Sequence, residues 1–244
     1  MKVYTLILLL TFGSFTQNQG INVPNKTNAL QTPDYAHWTV LLQKHVSDDG
    51  NVNYEGFKQD WSPLKRFIQT LSTQTPNEHW SKEQVLSYWI NAYNALTIDL
   101  ILRHYPVESI KDIRNPWKQA LWTLGSKTYD LDTIEHEILR KMQEPRIHFA
   151  IVCASYSCPK LKNSAYTPDQ LNDQLQQATV DFINDPKRNE LSENSLEISK
   201  IFKWFRNDFE EEQNFIDFLN QFTEIEISKT AQIRYQTYNW ELND

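Results

Sequence analysis

Ser81-Lys82-Glu83-Gln84-Val85-Leu86-Ser87-Tyr88-Trp89-Ile90-Asn91-Ala92-Tyr93-Asn94-Ala95-Leu96-Thr97-Ile98-Asp99-Leu100-Ile101-Leu102-Arg103-His104 is the stretch that decides the fold. Val85, Trp89, Ile90, Tyr93, Leu96, Leu100 and Ile101 recur at intervals of three and four, the period of a helix. Ser81 and Gln84 stand at capping-box spacing, and Pro106 stops the run. Apolar residues lie nearly all round, so the helix belongs in the centre of the molecule. Asn91 and Asn94 are the polar exceptions, three apart on one face. Buried amides need partners. These two read as binding residues, either orienting a histidine or donating to an oxyanion, or else as ties between the helix and a loop.

Working outward, Asp34 to Val46 predicts a short helix and Asp48-Asp49-Gly50-Asn51 a turn before an extended start at Val52. Ser62-Pro63 begins a helix running to about Leu71. Asp132 and Glu135 box another, to about Arg140. Arg146 to Cys153 is short, apolar and β-branched, and predicts a buried strand. Thr167-Pro168-Asp169-Gln170 opens a helix with Leu171, Leu175, Ala178, Phe182 and Ile183 on its core stripe, closed by Pro186. Ser195 to Ile198 and Ile233 to Trp240 predict strands; Ile201 to Phe209 and Phe215 to Phe222 are aromatic-rich helical stretches. The fold class is α+β: a helix-rich single domain around a small, mostly antiparallel sheet.

Composition narrows the chemistry. Only 5 of 244 residues are glycine, and GxGxxG, GxxxxGK[ST] and GxSxG are all absent, which argues against nucleotide-loop enzymes and α/β-hydrolases. The net charge is −7 and no basic run occurs, so no nucleic acid is expected as partner. Lys2 followed by the apolar run Val3 to Phe15 reads as a secretory signal peptide over 1–20, with a linker over 21–33 and one domain over 34–244. That run is too short to span a bilayer, which takes ~20 residues, and no second one of ~18 follows. Export to the periplasm or outside, and no transmembrane segment in the mature chain, are the expectations.

The densest cluster of reactive side chains runs from Glu135 to Pro159. It holds Glu135, His136, Arg146, His148, Cys153, Ser155, Ser157 and Cys158. A thiolate needs a neighbouring base or cation, because a free thiol of pKa ~8.5 is mostly protonated at neutral pH. On a regular strand, five-residue spacing puts His148 and Cys153 on opposite faces, so Cys158 is the easier partner for His148. Cys158 and His148, with Glu135 and His136, are the candidate catalytic residues; Asn91, Asn94, Arg146, Cys153 and Ser155 are candidate binding residues. In an exported chain the two cysteines could equally be bridged, closing a very small loop. They and the histidines are zinc-ligand types, but Cys-x4-Cys is a weak spacing and HExxH is incomplete, so neither metal nor cofactor is expected.

These strings resemble a family. Tyr88 to Thr97, Leu131 to His136, Arg146 to Cys153, Ala154 to Pro159, Ile201 to Phe205 and Tyr238 to Asn243 are similar to domain of unknown function family 547, over roughly Trp38 to Asp244. The resemblance implies little about activity. A more distant likeness is to papain-like and transglutaminase-like folds, which set a nucleophile at the start of a central helix facing a histidine on a strand. No cysteine stands at the helix start here.

Two functional classes compete. One is a thiol-dependent hydrolase or acyl transferase, with Cys158 as nucleophile, His148 as base and Glu135 or Asn94 orienting it. The other is a non-catalytic binding module of the cell envelope, for a small molecule, peptide, glycan or envelope partner, with exposed aromatic loops near Trp117 and Trp122. A metal-dependent enzyme is the third reading.

Overall fold

The structure is a computed structural model that describes residues 32–244. The leader read over 1–20, and all but the last two residues of the linker read over 21–33, lie outside the described residues. The central helix is α4, Lys82–His104, with Ser81 and Gln84 in the reciprocal capping box. Every residue from Leu86 to Leu102 is buried. No cation or carboxylate interrupts that span except Asp99, which accepts from the indoles of Trp61 and Trp122 and from Arg103, each at 2.7 Å.

The helices α2 (Tyr54–Gln59) and α3 (Trp61–Thr73) pack on α4, and α1 (Ala36–His45) packs on both of them. The extended start at Val52 shrinks to one bridge to Val46, and Asn53 caps α2 through the Gly56 N–H. The 146–153 strand does not form. Pro145–Phe149 is a 3₁₀ helix, and residues 150–153 run on as irregular chain. Likewise the 132–140 helix is a π-helix over Thr133–Leu139 followed by a 3₁₀ turn over Arg140–Met142. The first correction follows from pairing: among the described residues no strand lies beside 146–153, so its backbone groups find other partners.

After the 3₁₀ turn Pro168–Gln170 comes α5, Leu171–Ile183, on the predicted stripe. The short helices α6 (Ile201–Trp204), α7 (Arg206–Glu210) and α8 (Phe215–Asn220) close the chain's second half. Two small sheets replace the single one expected. One is an antiparallel hairpin of β1 (Trp122–Leu124) and β2 (Lys127–Tyr129); the other is mixed, β3 (Glu190–Leu191) antiparallel to β4 (Ser195–Ile198), itself parallel to β5 (Gln232–Tyr235). The α+β class stands.

Two apolar cores result. One surrounds α4; the other gathers Phe149, Phe182, Phe202, Phe209, Phe215 and Phe218. Cys153 and Trp240 pack against both, so the cysteine loop lies on the seam between them. Among the described residues no helix is long and apolar enough to cross a membrane.

Candidate active site

The two asparagines of α4 do the work that a sheet ladder would otherwise do. Asn94 donates to the Ala150 carbonyl and accepts from the Val152 N–H, both at 2.9 Å. Asn91 brackets Tyr166 in the same way, at 2.7 and 3.0 Å. Neither amide reaches a histidine; each pins a loop to the central helix. Asn94 thereby fixes the chain immediately before Cys153.

Beyond Cys153 the loop turns back on itself. Ala154 sits at φ 60, a left-handed conformation that costs a non-glycine residue about 1–2 kcal/mol. Cys153 and Cys158 are joined by a disulfide, with their Cα atoms 6.4 Å apart. The Cys158 sulfur receives the Cys153 N–H at 3.1 Å, and lies 3.2 Å from Ser155 Oγ and 3.3 Å from the Tyr238 hydroxyl. Burial holds the Tyr238 hydroxyl well above its ordinary pKa, so it remains a donor. Arg188 braces the loop from outside, bonding to the carbonyls of Tyr156 and Cys158 and lying over the Tyr156 ring.

A cleft of about 640 Å³ opens over this loop. Its lining includes Tyr93, Glu135, His136, His148, Cys153 and Cys158, with Trp117, Trp204, Tyr238 and Trp240 as an aromatic wall. Those rings are in contact: Tyr238 and Trp240 centroids are 4.6 Å apart, Trp204 and Tyr238 4.8 Å, Trp117 and Trp240 5.8 Å. Trp122, expected on an exposed loop, is the first residue of β1 and is buried with its indole on Asp99, because that carboxylate needs donors where water cannot reach it. At the mouth stand Lys111, Arg114 and Lys118.

His148 is placed by the 3₁₀ helix Pro145–Phe149. Its ring stacks on Phe205 at 3.9 Å and meets Phe209 edge-on at 5.4 Å. The Nε2 atom lies 2.7 Å from Asp208 Oδ2. Burial pushes the imidazole's pKa below its ordinary value, although Asp208 and Glu135 act in the opposite sense. At neutral pH the ring is therefore neutral, Nε2–H donates to Asp208, and Nδ1 keeps its lone pair. Among the described residues nothing bonds to Nδ1. Burial alone would raise the Asp208 carboxyl, but Arg140 and His148 outweigh it and hold it well below the usual range. Arg140 grips Asp208 with two bonds of 2.7 Å and gives a third, at 3.0 Å, to His136 Nδ1.

The sequence-predicted residues thus separate. Cys158, His148, Glu135, His136 and Cys153 meet on one cleft, with Ser155 directly beneath the sulfurs. Arg146 does not join them: it is paired with Glu144, just before its own 3₁₀ turn, and with Asn172 on α5. The carboxylate on His148 is Asp208, whereas Glu135 accepts from the Tyr93 hydroxyl at 2.9 Å. Asp208 and Tyr238 were not singled out from the sequence. One lies in the acidic run Asp208 to Glu212, the other in a weakly alternating tail, and neither pattern marks a site. Among the described residues no group of three or more His, Cys, Asp or Glu side chains is placed to hold a metal ion.

Fold and cleft together define a helix-rich α+β domain that sets a cysteine pair and an imidazole–carboxylate pair on one cavity. Residues 77–183 match the family model described as "Protein of unknown function, DUF547". The resemblance read from the sequence holds over that segment, which takes in α4, the cysteine loop and α5; Asp208, Tyr238 and the strings at 201–205 and 238–243 lie beyond it. No curated protein and no solved structure matches the chain.

Proposed function

We propose that the protein is an exported thiol-dependent hydrolase or acyl transferase acting on ester or amide bonds. The observation that carries this reading is the state of His148: its Nε2–H is taken by Asp208, so the free Nδ1 lone pair belongs to a neutral base on the cleft that holds the cysteines. The reaction belongs to the reduced protein, since a bridged sulfur has no thiolate to offer. His148 Nδ1 takes the Cys158 proton, and the thiolate attacks the substrate carbonyl. The imidazolium then gives its proton to the leaving group, leaving an acyl group on Cys158. Glu135 favours that imidazolium electrostatically. In the second half, His148 takes a proton from water or an acceptor alcohol or amine, which releases the acyl group. Export rests on the leader sequence alone.

The test is acylation of reduced protein by 4-nitrophenyl acetate, followed by intact mass. One acetyl group on Cys158 is expected, lost in Cys158→Ser and at least about 100-fold slower in His148→Ala. A folded, reduced protein that acquires no acetyl group on Cys158 overturns the reading.

The aromatic wall favours a second reading, a binding module for a small or peptidic ligand. Rings of Trp117, Trp204, Tyr238 and Trp240 offer broad apolar faces with polar edges. Under this reading a ligand that quenches tryptophan fluorescence stays bound in Cys158→Ser and His148→Ala, and is lost in Trp240→Ala.

A further inference from the structure

The two sulfurs of the cleft are not equivalent. Cys158 is 3% exposed, and a main-chain N–H points at it. Cys153 is half-buried and lines the cleft, and its sulfur has only the Ser155 and Tyr238 hydroxyls nearby, at 3.3 and 3.4 Å. A bridged sulfur is a weak acceptor, whereas a thiolate is a charged and strong one. The Cys153 N–H cannot be rotated away, and Ser155 Oγ donates to the Tyr238 hydroxyl at 2.9 Å, which leaves the Tyr238 hydrogen for the Cys158 sulfur and fixes the group in place. Such a set has its full effect only when Cys158 carries negative charge. That happens at the moment when the bridge opens toward Cys158.

We propose that Cys153–Cys158 is an exchangeable redox pair, in which a small thiol entering the cleft attacks Cys153 and Cys158 leaves as the thiolate. In the first step the incoming thiolate forms a bond to Cys153 Sγ, the Cys153–Cys158 bond breaks, and its electron pair stays on Cys158. A second thiolate then attacks the incoming sulfur of the mixed disulfide, and Cys153 leaves and takes a proton. Two small thiols are oxidised to their disulfide, and the protein bridge is reduced to two thiols. The lower the pKa of the leaving thiol, the faster it leaves, which is the contribution of the Cys153 N–H and of the one hydroxyl hydrogen that the Ser155–Tyr238 pair leaves for Cys158. Cleft volume admits a thiol of peptide size. The exchange stands independently of acyl transfer, although reduction by this route frees the nucleophile which that reading requires.

The experiment uses the oxidised full chain and glutathione, quenched with acid at intervals and mapped by mass. A transient glutathione adduct on Cys153, and none on Cys158, is expected. Reduction should be roughly tenfold slower in the Ser155→Ala, Tyr238→Phe double variant, because hydrogen bonds to a charged group are removed. If that variant does not fold, Ser155→Ala alone is expected to slow reduction about threefold. An adduct on Cys158, or a rate that the folded variant leaves unchanged, overturns the proposal. Acetylation by 4-nitrophenyl acetate is scored on the same reduced sample. Exchange without acetylation removes the acyl-transfer reading and leaves the redox pair standing.

Discussion

His148 donates Nε2–H to Asp208 across 2.7 Å, and 60 residues of chain separate the two. The contact joins the family-matched segment to the short helices that follow it, and it fixes which ring nitrogen is taken by a carboxylate. A neutral imidazole held in this way differs from a core histidine that merely fills space. The residue lines a cavity, and its Nε2 is committed to Asp208.

Asp208→Asn should therefore affect both stability and rate. The amide cannot neutralise Arg140, and one of its bonds becomes a donor facing donors. Unfolding free energy should fall by about 1.5–3 kcal/mol, since charge-assisted bonds are lost. Acetylation of the reduced protein should slow at least about 100-fold, with its pH profile displaced. Urea titration and burst kinetics check the pair; a normal rate in a folded variant would show that Asp208 does not position the base.

Stability should also depend on pH through His148. In the unfolded chain it titrates near its ordinary 6.5; in the fold, burial among Phe205 and Phe209 lowers that value despite Asp208 and Glu135, with Arg140 adding to the lowering. As pH falls below 6.5 the unfolded state binds the proton first, so stability is full above that point and declines beneath it. Asp208 adds a second loss, below its ordinary 3.8, where the unfolded carboxyl protonates before the folded one. Denaturation midpoints at pH 7.5 and 5.5 should differ in the native chain, and His148→Gln should shrink the difference.

The two asparagines of α4 make separable predictions. Asn94→Ala leaves the Ala150 carbonyl and the Val152 N–H unpaired, and should cost about 2–4 kcal/mol. It should also alter the alkylation rate of reduced Cys158, because the loop before Cys153 loses its tether. Asn91→Ala should cost a similar amount and leave that rate unchanged, since its partner is Tyr166. Thermal melts and iodoacetamide labelling of both variants test the distinction.

Reduction of the bridge should leave the fold standing. The cysteines are only 5 apart in sequence, and so small a loop restrains the unfolded chain by no more than about 2 kcal/mol. Near-ultraviolet circular dichroism of reduced and oxidised protein should agree, and the melting midpoint should drop only modestly.

Much of this fold can be read in the sequence where local signals and tertiary packing agree. Ser81, Gln84 and Pro106 bound α4, and Thr167-Pro168 opens the turn into α5. The failures occur where apolar character carries no period. Arg146 to Cys153 looks like a strand because its residues are β-branched and buried. Burial came from the seam between two cores, and the backbone was satisfied by one asparagine side chain instead of a neighbouring strand. The site was legible in part for the same reason. Cys153, Cys158 and His148 are close in sequence and reactive in kind. Asp208 and Tyr238 reach them only through tertiary folding, so nothing local distinguishes them from a solvated acidic run and a closing strand.

The segment from Tyr238 onward closes the site. Tyr156 and Ser157 donate main-chain N–H groups to Glu241 and Asn239, and Val52 donates one to Asn243. Leu242 bonds to Glu108, and Ser109 Oγ to the Trp240 carbonyl. A chain emerging from the ribosome presents Cys153 and Cys158 85 and 80 residues ahead of Tyr238. During that interval Cys158 lacks the phenol beside its sulfur and the loop lacks its outer edge. Newborn chains should therefore carry two ordinary thiols. The hydrogen bond from Tyr238 can reach Cys158 only after the chain has been extended 80 residues beyond it.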